Sequence, residues 1–115
     1  MAESIIAKKA EDFAVRIVKC AKYVREQKEY SLADQMMRSG TSICANVFEA
    51  KYAQSTADFI SKYSIALKEA SETKAWLRIL YRTDIITPQI YESMISDLNE
   101  LLSMLVSAVK SLKEK

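Results

Sequence analysis

The sequence predicts an all-α fold, an antiparallel up-down-up-down four-helix bundle that forms a single domain over residues 1–115. The 115 residues include one Gly and one Pro, too few for the turns of a sheet with several hairpins. Half of the residues are apolar, and they recur at helical spacing. Short breaks divide the chain into four stretches of helical length, which sets the number of helices.

Two predicted helices occupy the first half of the chain. The first, over residues 3–27, presents an apolar face of Ile6, Phe13, Ile17, Cys20 and Val24. The second, over residues 32–52, has an inner row of Leu32, Met36, Gly40, Ile43, Val47 and Ala50. Glycine within a helix costs about 1 kcal/mol relative to alanine. Gly40 therefore indicates a close approach between two helices.

Capping signals open the other two helices. Ser55 followed by Asp58 is typical of a capping box at the start of a helix over residues 56–82. Thr87 followed by Pro88 is typical of an N-cap with proline at the first helical position, which begins a helix over residues 88–112. The main apolar stripes are Phe59, Tyr63, Ala66, Leu67, Ala70, Leu77 and Tyr81 in the third helix and Tyr91, Met94, Leu98, Leu101, Leu105, Ala108 and Leu112 in the fourth.

Composition argues against several classes of function. The chain has no histidine, the commonest general base and metal ligand, and its two cysteines lack the C-x-x-C spacing of a zinc site. We expect no enzyme, no metal and no cofactor. Cys20 and Cys44 are predicted to be reduced, buried thiols. No signal peptide or long apolar run is visible, which predicts a cytoplasmic protein without a membrane partner.

The third and fourth helices carry more apolar surface than one core requires. Ile65, Trp76 and Ile79 lie roughly opposite the main stripe of the third helix, and Ile95, Leu102, Val106 and Val109 form a second row in the fourth. Exposed apolar patches usually mark interfaces. We predict a homo-oligomer with a subunit interface formed by Ile65, Glu69, Glu72, Trp76 and Ile79. The alternative is that these are scattered surface hydrophobes.

The second helix carries a row of polar side chains within an arc of roughly 100°. This polar row consists of Gln35, Arg38, Ser39, Ser42, Asn46 and Glu49. Its side chains are mostly directional hydrogen-bonding groups, whereas an ordinary solvated face is dense in Lys and Glu. Three interpretations stay open: a solvated face, a hydrogen-bonded network against another helix or subunit, and a ligand site.

Two carboxylates on the third helix, Glu69 and Glu72, invite a catalytic or metal-binding interpretation. Di-iron bundles need Glu-x-x-His on two helices, and the chain has no histidine. An ion-pair and interface role is favoured for both carboxylates. An enzyme that uses either of them together with Arg38 is the weakest hypothesis, because no nucleophile–base pair is present.

One face of the first helix is basic. Lys8, Arg16, Lys19 and Lys22 lie on it, interrupted by Asp12 and Glu26. In a monomer this pattern favours a plain solvated face. An oligomer repeats the patch and sums the fields, which makes the four cations candidates for contact with RNA or DNA.

Two runs of sequence resemble a known family. They are DQMMRSGTSICANVFEA at residues 34–50 and DFISKYSIALKEASETKAWLRIL at residues 58–80, and they resemble the bacterial four-helix bundle proteins encoded in intervening sequences of 23S rRNA genes. The polar row matches the first half of the family motif, and the second half is matched by Glu69, Glu72, Thr73, Trp76 and Leu77. The resemblance implies an antiparallel bundle that assembles into a ring of five copies. A group related in fold, the accessory variability proteins of diversity-generating retroelements, binds nucleic acid, but this chain is only mildly basic.

Two functions follow from these observations. The first is a non-enzymatic homo-oligomeric bundle, a pentamer by resemblance, that associates weakly with RNA or DNA through its summed basic surface. The second is a protein-interaction scaffold that docks a partner protein without nucleic acid.

Overall fold

The computed structural model describes residues 2–114, with side chains from residue 5 onward, and these residues form four α-helices and no strand. The helices are α1 (Ala2–Glu26), α2 (Tyr30–Ala50), α3 (Thr56–Arg82) and α4 (Pro88–Lys113). In the described part of the chain, α1 contacts α2 and α4, and α3 contacts the same two helices. The four helices therefore surround one elongated core, with overall extents of 46 × 21 × 19 Å.

The observed helix boundaries agree closely with the predicted ones. The predicted N-caps of α3 and α4 are confirmed: Ser55 Oγ accepts from the Asp58 amide, and Thr87 Oγ1 accepts from the Ile90 amide, both at 3.1 Å. The largest difference is in α2, which begins at Tyr30 and ends at Ala50, two residues before the predicted limits at each end. No side chain caps the start of α2, so the sequence offers no local signal for that boundary.

The core is built from the predicted apolar faces. The five predicted α1 residues are buried, as are all members of the α2 inner row except Leu32, which is half-buried. Prediction from spacing missed Leu80 of α3 and Ile86 of the following loop, which are also buried. Ile86 lies outside any helix, where helical periodicity gives no signal.

Gly40 marks a close approach between α1 and α2, as predicted. A Cβ atom at this position would lie 2.7 Å from the two γ carbons of Ile17. Side-chain carbons do not approach this closely, so any larger residue would displace Ile17 or the helix that carries it. The absence of a side chain at Gly40 thus sets the distance between the first two helices.

The two thiols form no disulfide, and the prediction that both are buried is confirmed for Cys20 and wrong for Cys44. Cys20 is buried and Cys44 is half-buried, and burial raises the pKa of both thiols. No helix among the described residues has the length and hydropathy to cross a membrane.

Candidate interaction face

Three members of the polar row of α2, Arg38, Ser39 and Glu49, contact α3, and the first two meet the second half of the family motif there. We call this surface the α2–α3 face. It consists of the six side chains of the polar row and the α3 side chains that border them. These α3 residues are Lys62, Ile65, Glu69, Glu72, Thr73, Trp76 and Ile79. The two halves of the motif, separated in the chain, are therefore brought together by helix packing.

Arg38 links the two carboxylates of α3. Its Nη1 donates to Glu69 Oε2 at 3.0 Å, and its Nη2 donates to Glu72 Oε2. Trp76 Nε1 donates to the same Glu72 oxygen at 3.0 Å. Glu69 and Glu72 are one helical turn apart, so a single planar guanidinium can reach both. Their arrangement fits the predicted ion-pair role.

These contacts affect the charge state of the cluster. The hydrogen bond from Trp76, followed by that from Arg38, lowers the pKa of Glu72. The same pairing raises the pKa of Arg38, with the hydrogen bond to Glu72 as the main cause. A depressed pKa stabilises the ionised carboxylate and disfavours a proton-donating role near neutral pH. The ionised Glu72 is thus suited to pairing with Arg38 across the two helices.

A buried hydroxyl pair lies beside the ionic cluster. Ser39 and Thr73 are both fully buried, and their hydroxyl oxygens lie 2.8 Å apart. Thr73 Oγ1 also lies 2.8 Å from the carbonyl oxygen of Glu69, and Ser39 Oγ lies 3.5 Å from that of Met36. Buried hydroxyls without partners are costly, and Ser39 depends on Thr73 because its other contact is long, whereas Thr73 also has the Glu69 carbonyl.

The rest of the polar row has three kinds of surroundings. Glu49 accepts a hydrogen bond from Lys62 of α3 at 2.8 Å. Asn46 Nδ2 donates to the carbonyl oxygen of Ser42 at 2.9 Å, within α2. Gln35 is exposed. A network against another helix therefore describes Arg38, Ser39 and Glu49, and the ligand-site interpretation stays a prediction.

Three large apolar side chains border this polar network. Ile65 is 39% exposed and Ile79 is 41% exposed, while Trp76 is half-buried against the core. They lie on the side of α3 that carries Glu69 and Glu72, as the predicted subunit interface requires. Packing of the four helices leaves these apolar groups accessible.

The basic residues of α1 are divided by the structure. Lys8 pairs with Asp12 at 2.9 Å, and Arg16 pairs with Asp97 of α4 and donates to Ser93 Oγ. Lys19 and Lys22 are exposed. Two of the four predicted nucleic-acid contacts therefore already have carboxylate partners, and the contact of this face with RNA or DNA stays a prediction.

Sequence reasoning missed the role of Thr73 in the core. Its spacing from Ala66 and Ala70 places it on the buried stripe, so the stripe itself could have identified it. The partner of Lys74, Asn99 at 3.2 Å, carried no sequence signal because it depends on the pairing of α3 with α4. Within the described part of the chain, no group of three potential metal ligands is assembled.

The fold and the α2–α3 face define an all-α, four-helix protein whose two middle helices are joined by a polar network. The model of the 23S rRNA-intervening sequence protein family matches residues 2–107, and the chain belongs to this family. The family resemblance inferred from the motif is therefore confirmed.

A solved structure supports the same assignment. The chain is similar to a protein of unknown function from the S23 ribosomal protein family of Bacteroides thetaiotaomicron, with 50% sequence identity and a TM-score of 0.92. The match covers 96% of this chain and 99% of the other. The comparison with curated proteins gives no significant match. Family and fold are thus shown, while the biochemical role has to be argued from the surface.

Proposed function

We propose that this protein is a non-enzymatic, self-associating four-helix bundle, and that the α2–α3 face is where a second copy docks. The observation that carries the proposal is the accessibility of Ile65, Trp76 and Ile79 beside a polar network that is already internally paired. An interface core is typically apolar and poor in unpaired charge. Here Arg38 offsets part of the charge of the two nearby carboxylates, which lowers the cost of removing them from water.

A closed ring needs a second, different patch on each copy, because a head-to-tail contact joins two unlike surfaces. Candidates for it among the other exposed apolar groups include Val15 of α1, Phe48 of α2 and the highly exposed Tyr52 just beyond α2. The family resemblance supports a ring of five copies. The three connections, residues 27–29, 51–55 and 83–87, are short, which supports up-down-up-down topology in each copy.

The proposal assigns no reaction to the protein. The chain has no histidine, and the two carboxylates that could act as acid or base are engaged with Arg38 and Trp76. Their contacts account for them as structural groups.

Sedimentation at micromolar concentration tests the proposal directly. The wild-type protein is expected to sediment as an oligomer, and Ile79→Glu is expected to shift it toward the monomer because the new charge would be buried at the contact. Tyr23→Glu is the matched control, since Tyr23 is 39% exposed on α1, close to the 41% of Ile79, and lies outside the α2–α3 face. A monomeric wild type, or equal effects of the two substitutions, would overturn the proposal.

Trp76 provides a second readout, because it is the only tryptophan in the chain. Burial at a subunit contact predicts a red shift of its fluorescence on dilution, as the indole becomes more accessible to water. The shift should follow the change in sedimenting mass. Emission that stays constant while the oligomer dissociates would place the contact elsewhere.

A further inference from the structure

A second feature of α3 is a row of cations on its outer side. Ser64, Lys68, Ser71, Ala75, Arg78 and Arg82 recur at alternating intervals of four and three residues, and all are exposed. At about 100° per residue they fall within an arc of about 80°. We call this row the α3 stripe. It is adjacent to the α2–α3 face on the surface of α3 and contains no acidic residue.

Among the described residues, the three cations of the α3 stripe have no ion pair, like Lys19 and Lys22 of α1 and unlike four of the cations described above. Lys8, Arg16 and Arg38 pair with carboxylates, and on α3 itself Lys62 pairs with Glu49. No ion pair joins Lys68, Arg78 or Arg82 to a carboxylate anywhere in residues 5–114. The charge of Lys68 still contributes to the lowered pKa of Glu72, so Arg78 and Arg82 are the cations of the stripe most available to a partner.

The spacing and shape of the α3 stripe suit an extended polyanion. Lys68 and Arg82 are fourteen residues apart, which is about 21 Å along the helix and comparable to about six base-pair steps of duplex. Ser71 and Ala75, which lie between Lys68 and Arg78, have short side chains, so a backbone can approach the helix closely there. Arginine forks bind phosphate oxygens in bidentate fashion, and serine hydroxyls donate to them.

The composition of the stripe also favours one kind of partner over protein and membrane surfaces. A protein-docking surface typically has an apolar core, and a membrane-binding helix inserts apolar side chains. The α3 stripe has neither, since Ala75 is its only apolar member. We propose that the α3 stripe contacts the phosphate backbone of a nucleic acid. This site is distinct from the basic face of α1, and it does not depend on self-association, although an oligomer would repeat the stripe and strengthen binding.

Fluorescence anisotropy with two labelled probes, a single-stranded RNA and a duplex DNA that each cover the length of the stripe, tests the proposal. The triple variant Lys68→Gln, Arg78→Gln, Arg82→Gln is compared with the wild type over a range of salt concentrations. We expect the affinity at low salt to fall at least about tenfold and the slope of log K against log salt to decrease by about 2 to 3 per bound copy. Tighter binding of one probe identifies the type of nucleic acid, and equal binding indicates contact with the shared phosphate backbone.

The matched control is the triple variant Lys8→Gln, Lys19→Gln, Lys22→Gln, which removes the same charge from α1. Its affinity should fall less than that of the stripe variant. Equal losses would show that net charge alone governs binding, and a larger loss in the control would place the site on α1. Either result, or no binding by the wild type at low salt, would overturn the proposal. Sedimentation of all three proteins separates a binding defect from a change in assembly.

Discussion

The α2–α3 and α1–α4 boundaries both contain ion pairs, but they differ in burial. Between α2 and α3, Arg38 reaches Glu69, whose side chain is only 13% exposed, and the network adjoins the buried Ser39–Thr73 pair. Between α1 and α4, Arg16 and Asp97 are 36% and 49% exposed. The difference lies in the carboxylates, since Arg38 is 52% exposed and thus more open than Arg16. Water therefore screens the Asp97 end of the second contact more than the Glu69 end of the first.

This difference indicates which boundary fixes the register of the helices in the bundle. A surface ion pair tolerates small shifts between helices, since its long side chains can readjust. The buried hydroxyl pair does not, because a shift of one residue would leave Ser39 and Thr73 without their shared hydrogen bond. Ser39 and Thr73 are also the only buried polar residues identified among those described, and both lie at the α2–α3 boundary. We infer that this boundary holds the register of the helices.

The largest expected effect on stability comes from a substitution that breaks the buried hydroxyl pair. Thr73→Val keeps the side-chain shape but leaves the Ser39 hydroxyl with only its 3.5 Å contact to Met36, so the free energy of unfolding should fall by about 1–3 kcal/mol. Urea denaturation followed by circular dichroism, at a fixed protein concentration, measures it.

A double variant sharpens this prediction. In Ser39→Ala, Thr73→Val both hydroxyls are gone, so the double variant should lose less stability than the sum of the two single changes. Strict additivity of the three measurements would show that the hydroxyl contact does not couple α2 to α3.

Smaller effects on stability are expected when the arginine of each boundary is replaced by glutamine. Arg38→Gln should lower the free energy of unfolding by about 1–2 kcal/mol, because it leaves Glu69 with little solvent and no cation. Arg16→Gln should cost less than about 1 kcal/mol, as exposed pairs do. Both are measured by urea denaturation, and a larger loss for Arg16→Gln would reverse the ranking of the two boundaries.

The smallest effect is a dependence on pH. The pKa of Glu72 is lowered in the folded state, so its contribution to stability is complete above the ordinary glutamate pKa of about 4.3 and is lost as the pH falls through the folded value. The difference in melting temperature between wild type and Glu72→Gln should therefore shrink below that pH.

Trp76→Phe is the control for this pH dependence. It removes the indole donor, the main cause of the lowered pKa, while keeping an aromatic side chain in place. The acid-induced loss of stability should become shallower in this variant. If the melting temperatures of wild type, Glu72→Gln and Trp76→Phe change with pH in the same way across the acid range, Glu72 makes no pH-dependent contribution to stability.

Local chemistry in the sequence determined the all-α class, the four helices and two of their caps. Ser55 and Thr87 act on amides three residues away, so their roles can be inferred without the fold. The buried faces follow in the same way from helical spacing. The polar row was also visible in the sequence, because its six side chains share one arc of a single helix.

Only the tertiary structure decided what these side chains touch. The pairing of Arg38 with Glu69 and Glu72, and that of Ser39 with Thr73, joins residues more than thirty positions apart. The same holds for the division of the cations among the described residues into those with an ion pair, such as Arg16, and those without one, such as Arg78 and Arg82. Helical periodicity assigns each side chain to a face, whereas the choice of neighbouring face depends on how four helices pack around one core.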